Sequence, residues 1–400
     1  MSENGFKHNY LNIHALISHS ASAMNRDNNN LQKIMTLGGV KRARISSQSL
    51  KYAMRNSGYY AKHLGKPSDR TREILELTSK YVEELSEFPS EVVTKTISLL
   101  VGKDLAELAK ELEVGKTSGN AIIPWSVSEV RAICKEISQA EKEGLTERQL
   151  AKRLKDNSEN LHKALASTVD IALSGRMTTS GLIEPIDGAM ALAHSFTTHH
   201  HETQLDWFTA VDTFSSSSNN GKPTAGHIGT QDFSAGTFYR YCSLNLQQLR
   251  KNIGGDKEKA LEIAGHLVYL LAATVPGGKQ HSFAAFNYAE YILCSFSDQP
   301  VSLADAFEKP VVMDRQGGFM QPSIKALQNH SKLLHEGYEI EHLQKELLLI
   351  ELDEQLETIE ITEKGEKAEK GKKKEKPKTT NKEEKQTIGT LREWVKKEGN

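Results

Sequence analysis

Residues 9–18, NYLNIHALIS, decide the fold, because apolar side chains alternate along them with a period of two. Leu11, Ile13, Ala15 and Ile17 would share one face, and this alternation is typical of a β-strand. The stretch therefore predicts a first strand that contributes an apolar face to a core. A loop rich in asparagine follows it.

A second strand and a helix come soon afterwards. Residues 41–45, KRARI, alternate again and would place Arg42 and Arg44 on one side of a strand. The two serines that follow can cap a helix starting near Gln48, because serine side chains accept hydrogen bonds from the free N–H groups of a first turn. These residues thus predict a strand that leads directly into a helix.

The remaining elements complete a recognisable order. The spacing predicts a largely helical insert over 62–175, strands over 187–196, 237–246 and 288–296, and a long helix that opens at 254–256 and stops before Pro276. Without the insertions, the order is β-α-β-β-α-β, the ferredoxin-like order that RNA-recognition domains also use. The predicted fold class is α+β.

Composition limits the class of protein. The chain has 400 residues, 38% of them hydrophobic and 26% charged, which is enough apolar content for a core. Its most apolar stretch, 267–275, is far shorter than the roughly 20 residues that a membrane helix needs. The start of the chain is polar, without a signal-peptide core. The three cysteines are far apart and are expected to be reduced thiols, so we predict a cytoplasmic protein.

Charge is unevenly distributed, although the net charge is only −1. Residues 28–68 contain no Asp or Glu and eight Lys or Arg. Arg42, Arg44, Lys51 and Arg55 could contact phosphates, and Lys51 and Arg55 would share an outward helix face because they lie four residues apart. A local cationic surface on a neutral protein favours a polyanion bound at a defined place, although a solvated basic face would have the same composition.

Two motifs suggest other chemistry and are weaker. His199-His200-His201 could bind a metal, but consecutive residues on a strand alternate faces, so a loop end near solvent is the preferred interpretation. The stretch 276–280, PGGKQ, lacks the first Gly and the final Ser or Thr of a Walker A motif, so nucleotide hydrolysis is not expected. Lys279 could still approach a phosphate backbone.

A metal-dependent ribonuclease is the alternative function. His19 and Asp27 both lie just after the first predicted strand, so the pair could serve acid-base or metal chemistry. No second carboxylate has a suitable spacing, and an Asp in a turn is ordinary turn chemistry.

Met177 and Ile228 also have two interpretations, as core residues or as apolar wedges between bases.

The last part of the sequence is of low complexity. Residues 363–385 are rich in Lys and Glu and are predicted to be a disordered, solvated linker. Residues 390–397 would form a short helix that docks back onto the domain.

Several long strings together resemble one family, the CasC-type (Cse-family) backbone subunit of the type I-E CRISPR complex Cascade. The matching strings are NIHALISHS at 12–20, NRD at 25–27, RISSQSLK at 44–51, AMR at 53–55, VDIALSGRM at 169–177, DWFTAVD at 206–212, GTQ at 229–231 and FYRY at 238–241. They extend from the first strand to the fourth, so the resemblance covers nearly all of the chain. The Lys-rich run looks like an insertion relative to this family.

The resemblance implies a hand-like architecture. It implies a modified ferredoxin-like palm at 1–61, 181–198 and 236–362, helical fingers at 62–180, a β-hairpin thumb at 199–235, the Lys-rich insertion at 363–386 and a C-terminal helix at 387–400. Several copies would form a helical filament along the guide crRNA, with other Cascade subunits as partners. Target DNA would be read through the crRNA by base pairing.

The resemblance also implies roles for individual residues. Those expected to hold the RNA backbone are Arg26, Lys33, Arg44, Ser46, Gln48, Lys51, Arg55 and Lys279. Met177 and Ile228 would flank a nucleotide that the thumb displaces. We expect no catalytic residue, no metal and no other cofactor, and therefore a protein that is not an enzyme.

Overall fold

The fold is a central antiparallel sheet with helices on both faces. The computed structural model describes residues 5–102, 122–156, 168–177, 185–211, 225–350 and 386–399, together with Lys110 and Ala164. The strands are β1 (Tyr10–Ser22), β2 (Ile34–Leu37), β3 (Val40–Ile45), β4 (Asp69–Thr71), β5 (Ile123–Trp125), β6 (Met190–Leu192), β7 (Ser195–Thr197), β8 (Gln204–Val211), β9 (Ala225–Asn245), β10 (Tyr291–Ser297) and β11 (His342–Leu348). The helices are α1 (Ser47–Arg55), α2 (Gly58–His63), α3 (Ile74–Glu84), α4 (Ser90–Val101), α5 (Val127–Lys142), α6 (Glu147–Asp156), α7 (Val169–Ser174), α8 (Leu246–Asn252), α9 (Lys257–Ala273), α10 (Gln280–Phe283), α11 (Met320–Gly337) and α12 (Ile388–Lys396).

The order of the strands confirms the predicted fold class. The main sheet runs β11-β10-β1-β9-β7-β3-β2, and β6 and β8 also pair with β9. The strands β10, β1, β9 and β6/β7 therefore lie in the order fourth, first, third, second, which is the ferredoxin-like arrangement. Helices α1 and α9 occupy the two positions between strands that this fold reserves for helices.

Both faces of β1 are buried, whereas the alternation of apolar residues predicted only one buried face. Leu11, Ile13 and Ile17 pack into the core beneath α1 and α9, whereas Leu16 faces a second core beneath α11. The second face also holds polar residues: Asn12 Nδ2 donates to Ser297 Oγ (2.9 Å), and His14 Nδ1 lies 2.9 Å from Tyr239 Oη. Burial lowers the pKa of His14 to about 3, so its imidazole is neutral.

The predicted strand at 187–196 is two strands, which corrects the sequence interpretation. Leu192 pairs with Cys242, but Phe196 pairs with Tyr239, so the register against β9 shifts by one residue. A one-residue bulge around His194 interrupts the strand. The bulge turns His194 toward α1, where its Nδ1 accepts a hydrogen bond from Ser47 N–H (2.9 Å).

The helices α3 to α6 have a hydrophobic core of their own. Tyr81, Ile97, Ile133 and Leu154 are among its buried members. A buried ion pair between Glu129 of α5 and Arg176, just after α7, links this core to the rest of the chain. The palm, finger and thumb boundaries stay predictions.

The C-terminal helix α12 packs onto α9 and β11, close to the predicted 390–397. Leu391 and Val395 are buried, and Trp394 contacts Phe296 at 5.3 Å between ring centroids. The predicted disordered run at 363–385 lies outside the described residues. In the described ranges, no helix is both long and apolar enough to cross a bilayer.

Candidate nucleic-acid interface

The start of α1 lies at the centre of the predicted surface. Ser46 is the N-cap residue, and its Oγ accepts from Ser49 N–H at 3.2 Å. Its own N–H donates to Asn25 Oδ1 (2.8 Å), and the residue is buried. The helix start therefore uses one acceptor site of Ser46 Oγ, and the O–H group can still donate to a ligand. Gln48, in the first turn, is exposed.

The loop after β1 is fastened beside this helix start. Lys33 N–H donates to Asn25 O (2.9 Å), and Arg44 N–H donates to Lys33 O (2.8 Å). The carboxylate of Asp232 in β9 accepts Gln32 N–H at 2.9 and 3.0 Å. These bonds bring Lys33 and Arg44 to the same edge of the sheet, together with Arg26 on the neighbouring turn.

A residue that the sequence interpretation missed, His194, lies within this cluster. Burial lowers its pKa, and the charges of Arg44 and Lys33 lower it further. The neutral ring is thus the form that accepts Ser47 N–H. Nothing in the sequence identifies this position, because the bulge that places it depends on the pairing with β9.

Lys51 and Arg55 lie one and two turns farther along α1. Both are half-buried rather than on a fully outward face, and burial is the main cause that lowers the pKa of each. Asp170 lies close enough to raise the pKa of Arg55, but its oxygens accept from Ser68 and Arg70. Neither cation has an ion pair with a carboxylate in the described part of the chain.

Lys279 approaches the same surface from another element. Its backbone is left-handed (φ 55°), and it follows the loop that ends α9. A Cβ on the preceding Gly278 would collide with the carbonyl of Met24, so the loop lies against the chain just before Arg26. The structure thus gathers the predicted residues from the turn after β1, from α1 and from this loop.

Arg42 is not a phosphate contact, which corrects the expectation from strand alternation. Its side chain is fully buried and donates to the carbonyls of Thr197 (3.1 Å), Phe307 (2.9 Å) and Glu308 (3.4 Å). It shares a side of β3 with Arg44, but the chain segment around Phe307 covers it. That cover comes from about 265 residues away in sequence, so local alternation could not reveal it.

The two predicted wedge residues are highly exposed apolar side chains. Met177 is 92% exposed and Ile228 is 62% exposed. Arg176, the residue before Met177, is buried in its ion pair with Glu129, with Nη2 2.7 Å from Oε1. The buried pair fixes the backbone from which Met177 projects.

Ile228 belongs to an apolar face of the hairpin formed by β8 and β9. Trp207 pairs with Thr230, two residues from Ile228, so Trp207 and Ile228 lie on the same face, with Leu205 farther along. All three are exposed. The predicted tip at 215–226 lies mostly outside the described residues.

The alternative motifs have structural explanations. His199 and His201 are buried, not near solvent as expected: His199 stacks on Phe319 with ring centroids 3.7 Å apart, and its Nε2 accepts Thr237 N–H. In the described residues, no group of three His, Cys, Asp or Glu side chains could hold a metal ion. Asp27 Oδ1 accepts from the N–H groups of Asn29 (2.8 Å) and Leu31 (2.9 Å), as a turn residue does.

Comparison with known proteins relates this chain to one protein family and to subunits of solved complexes. The family model described as CT1975-like protein matches residues 11–375. A chain of a solved "CRISPR RNA-guided surveillance complex, pre-nicking" is 28% identical with a TM-score of 0.61, and the match covers 84% of this chain and 90% of that chain. A chain of another "CRISPR RNA-guided surveillance complex" is 23% identical with a TM-score of 0.49, covering 84% and 88%.

No curated protein sequence matches the chain. The family model nevertheless matches well over half of the 400 residues, from the start of β1 to a point beyond β11. The chain belongs to the CT1975-like protein family.

Proposed function

We propose that this chain is a CasC-type backbone subunit of a type I-E Cascade complex that binds guide crRNA without regard to its sequence. One observation carries this function. Lys33 and Arg44 are joined by a backbone hydrogen bond beside the start of α1, and Lys51 and Arg55 lie one and two turns along that helix. None of the four forms an ion pair with a described carboxylate. Such cations can neutralise phosphates and release counterions.

Binding through phosphates explains how one subunit could serve any guide. Phosphates carry no sequence information, whereas base edges do. The candidate contacts are the cationic groups of Arg26, Lys33, Arg44, Lys51, Arg55 and Lys279, with the amide of Gln48 and the hydroxyl of Ser46. The bases would then remain available to pair with target DNA.

Assembly follows from the same proposal. The structurally similar chain comes from an RNA-guided surveillance complex, which supports other Cascade subunits and crRNA as partners. Further copies of this chain are part of the proposal. A repeating subunit needs a device that sets its spacing along the RNA. The exposed Met177 and Ile228 would supply it by flanking a displaced nucleotide.

The proposed role is non-catalytic. Asp27, the residue suspected for a ribonuclease, uses one carboxylate oxygen for two turn N–H groups. RNA incubated with the chain and Mg²⁺ should therefore stay intact. Metal-dependent cleavage that disappears in Asp27→Ala would favour the ribonuclease instead.

Nuclease footprinting tests the proposal. Guide-length single-stranded RNA is bound by the full chain and digested. We expect protection that is broken at a regular interval, because each subunit displaces a nucleotide. Protection of a single short patch would contradict the filament, and an Ala variant of both Met177 and Ile228 should lose the regular breaks while keeping the protection.

A further inference from the structure

A groove lined by four tyrosines lies along the flank of α1. It has a volume of about 600 Å³ and is formed by α1, the end of α9 and the loop at 274–278. Tyr59 and Tyr269 stack inside it, with ring centroids 3.9 Å apart. Tyr52 and Tyr288 are 63% and 62% exposed at its walls. A concave surface with this many accessible aromatic rings is typical of a ligand site.

The chemistry of the groove favours an anionic, aromatic ligand. Among the described residues that line it, none is Asp or Glu. Two cations lie over its rings: the Arg55 guanidinium is 5.6 Å from the centre of the Tyr52 ring, and Arg392 is 5.8 Å from that of Tyr59. Asn56 donates to Tyr52 O (2.9 Å), which leaves its side-chain oxygen to accept from a ligand. A nucleobase that carries its phosphate matches these features.

The position of the groove connects it to the candidate RNA surface. Ser49, in the first turn of α1, and Gly278 both line it. Gly278 lies against Met24, two residues before Arg26, and directly before Lys279. RNA held at the start of α1 therefore passes one end of the groove. A helix is only about 10 Å wide, so a base turned out of the strand can reach across it.

We propose that this groove binds one unstacked nucleobase of the bound single-stranded RNA by stacking on Tyr52 and Tyr288. The inference rests on the proposed RNA-binding function. Every base has a π-face, so stacking tolerates any sequence, as contacts to phosphate do. The groove would add affinity without adding sequence preference.

Photocrosslinking with RNA that contains 4-thiouridine tests the site. We expect crosslinks to the peptides that contain Tyr52 and Tyr288. The double variant Tyr52→Ala with Tyr288→Ala should lose these crosslinks and bind RNA about fivefold or more weakly, whereas the Phe pair should keep both properties. Tyr338→Ala is the matched control, because Tyr338 is 78% exposed at the end of α11, on the opposite face of the sheet.

The outcomes separate this inference from the proposed function. Crosslinks elsewhere, with unchanged affinity in the Ala pair, would overturn the nucleobase site and leave phosphate binding in place. Wild-type chain that binds no RNA would overturn both. Protection of the groove peptides from hydrogen exchange in RNA-free assemblies would place another copy of the chain there, and would also overturn the inference.

Discussion

Basic side chains behave differently in helices α3 to α6 and on the α1 surface. In these four helices they meet carboxylates: Lys80 pairs with Asp69 at 2.6 Å, and Lys95 pairs with Glu141 at 2.7 Å. Arg153 and Arg131 are paired in the same way. Around α1, the cations predicted to contact RNA form no ion pair with a described carboxylate, although Lys66 of the same acid-free stretch 28–68 pairs with Glu84.

This difference shows why the net charge misleads. A cation beside a carboxylate presents little potential to an external ligand, whereas a cluster of unpaired cations attracts a polyanion. The chain as a whole carries only −1, yet the acidic residues that balance it are concentrated elsewhere. The location of the carboxylates, rather than the number of lysines and arginines, therefore marks the candidate site.

The largest expected loss of stability comes from breaking the buried ion pair between Glu129 and Arg176. Glu129→Ala would leave Arg176 charged and unpaired in the interior, so we expect the free energy of unfolding to fall by about 3 to 5 kcal/mol. Urea unfolding of the full chain measures it. Glu87→Ala, which breaks the exposed pair with Arg131, should leave the free energy of unfolding almost unchanged, because solvent screens that pair. Equal losses in the two variants would erase the distinction between the pairs.

A smaller difference in the free energy of unfolding is expected between variants of the two arginines on β3, Arg42 and Arg44. Arg42→Ala should lower the free energy of unfolding by about 3 kcal/mol, because it removes a donor from three carbonyls. Arg44→Ala should change stability little and should weaken RNA binding. Urea unfolding and an RNA titration measure the two properties. The account of β3 would be wrong if Arg44→Ala were the less stable variant.

Acid should act on the core before it acts on the cationic surface. Burial lowers the pKa of both His14 and His19 to about 3, well below the ordinary value of 6.5. The folded state therefore keeps both rings neutral, whereas the unfolded chain takes up protons below its ordinary pKa of 6.5. The stability that the neutral rings contribute is complete above pH 6.5 and is lost progressively as pH falls from 6.5 toward 3. At pH 5 each histidine should lower the free energy of unfolding by roughly 2 kcal/mol relative to pH 7.5.

Urea unfolding at pH 5, 6 and 7.5 measures this dependence. In His14→Gln, the loss of stability between pH 7.5 and 5 should be smaller by the contribution of one histidine. A stability that stays flat between pH 7.5 and 5 would mean that these imidazoles are not held neutral by burial. RNA assays are best made above pH 6.5, where the fold is not affected.

Much of the fold could be predicted from local pattern. The first strand was expected at 9–18 and is Tyr10–Ser22, and the long helix expected after 254–256 is Lys257–Ala273. These elements have strong periodicity and clear caps, since Asp256 Oδ1 accepts Lys259 N–H. The hairpin strand β2 was missed, because its burial is partial and its pairing with β3 decides it.

The candidate site was harder to predict wherever distant segments meet. The concentration of cations around α1 was visible, because the absence of acidic residues from 28–68 is a local property. The burial of Arg42, the bulge at His194 and the groove beside Tyr52 were not visible, because each depends on contacts across more than a hundred residues. Sequence therefore indicates which residues carry charge, and the fold decides which of them remain available.

Salt dependence of RNA binding tests the central claim most directly. The measurement compares wild type with Lys51→Ala/Arg55→Ala and with Lys80→Ala/Lys95→Ala, which loses the same charge from paired positions. In the α1 variant, we expect affinity about tenfold lower at 0.15 M salt for every RNA sequence, and a salt slope smaller by about 0.7 for each lost phosphate contact. The Lys80→Ala/Lys95→Ala variant should match wild type. Equal losses in both variants, or a loss confined to some RNA sequences, would contradict the account.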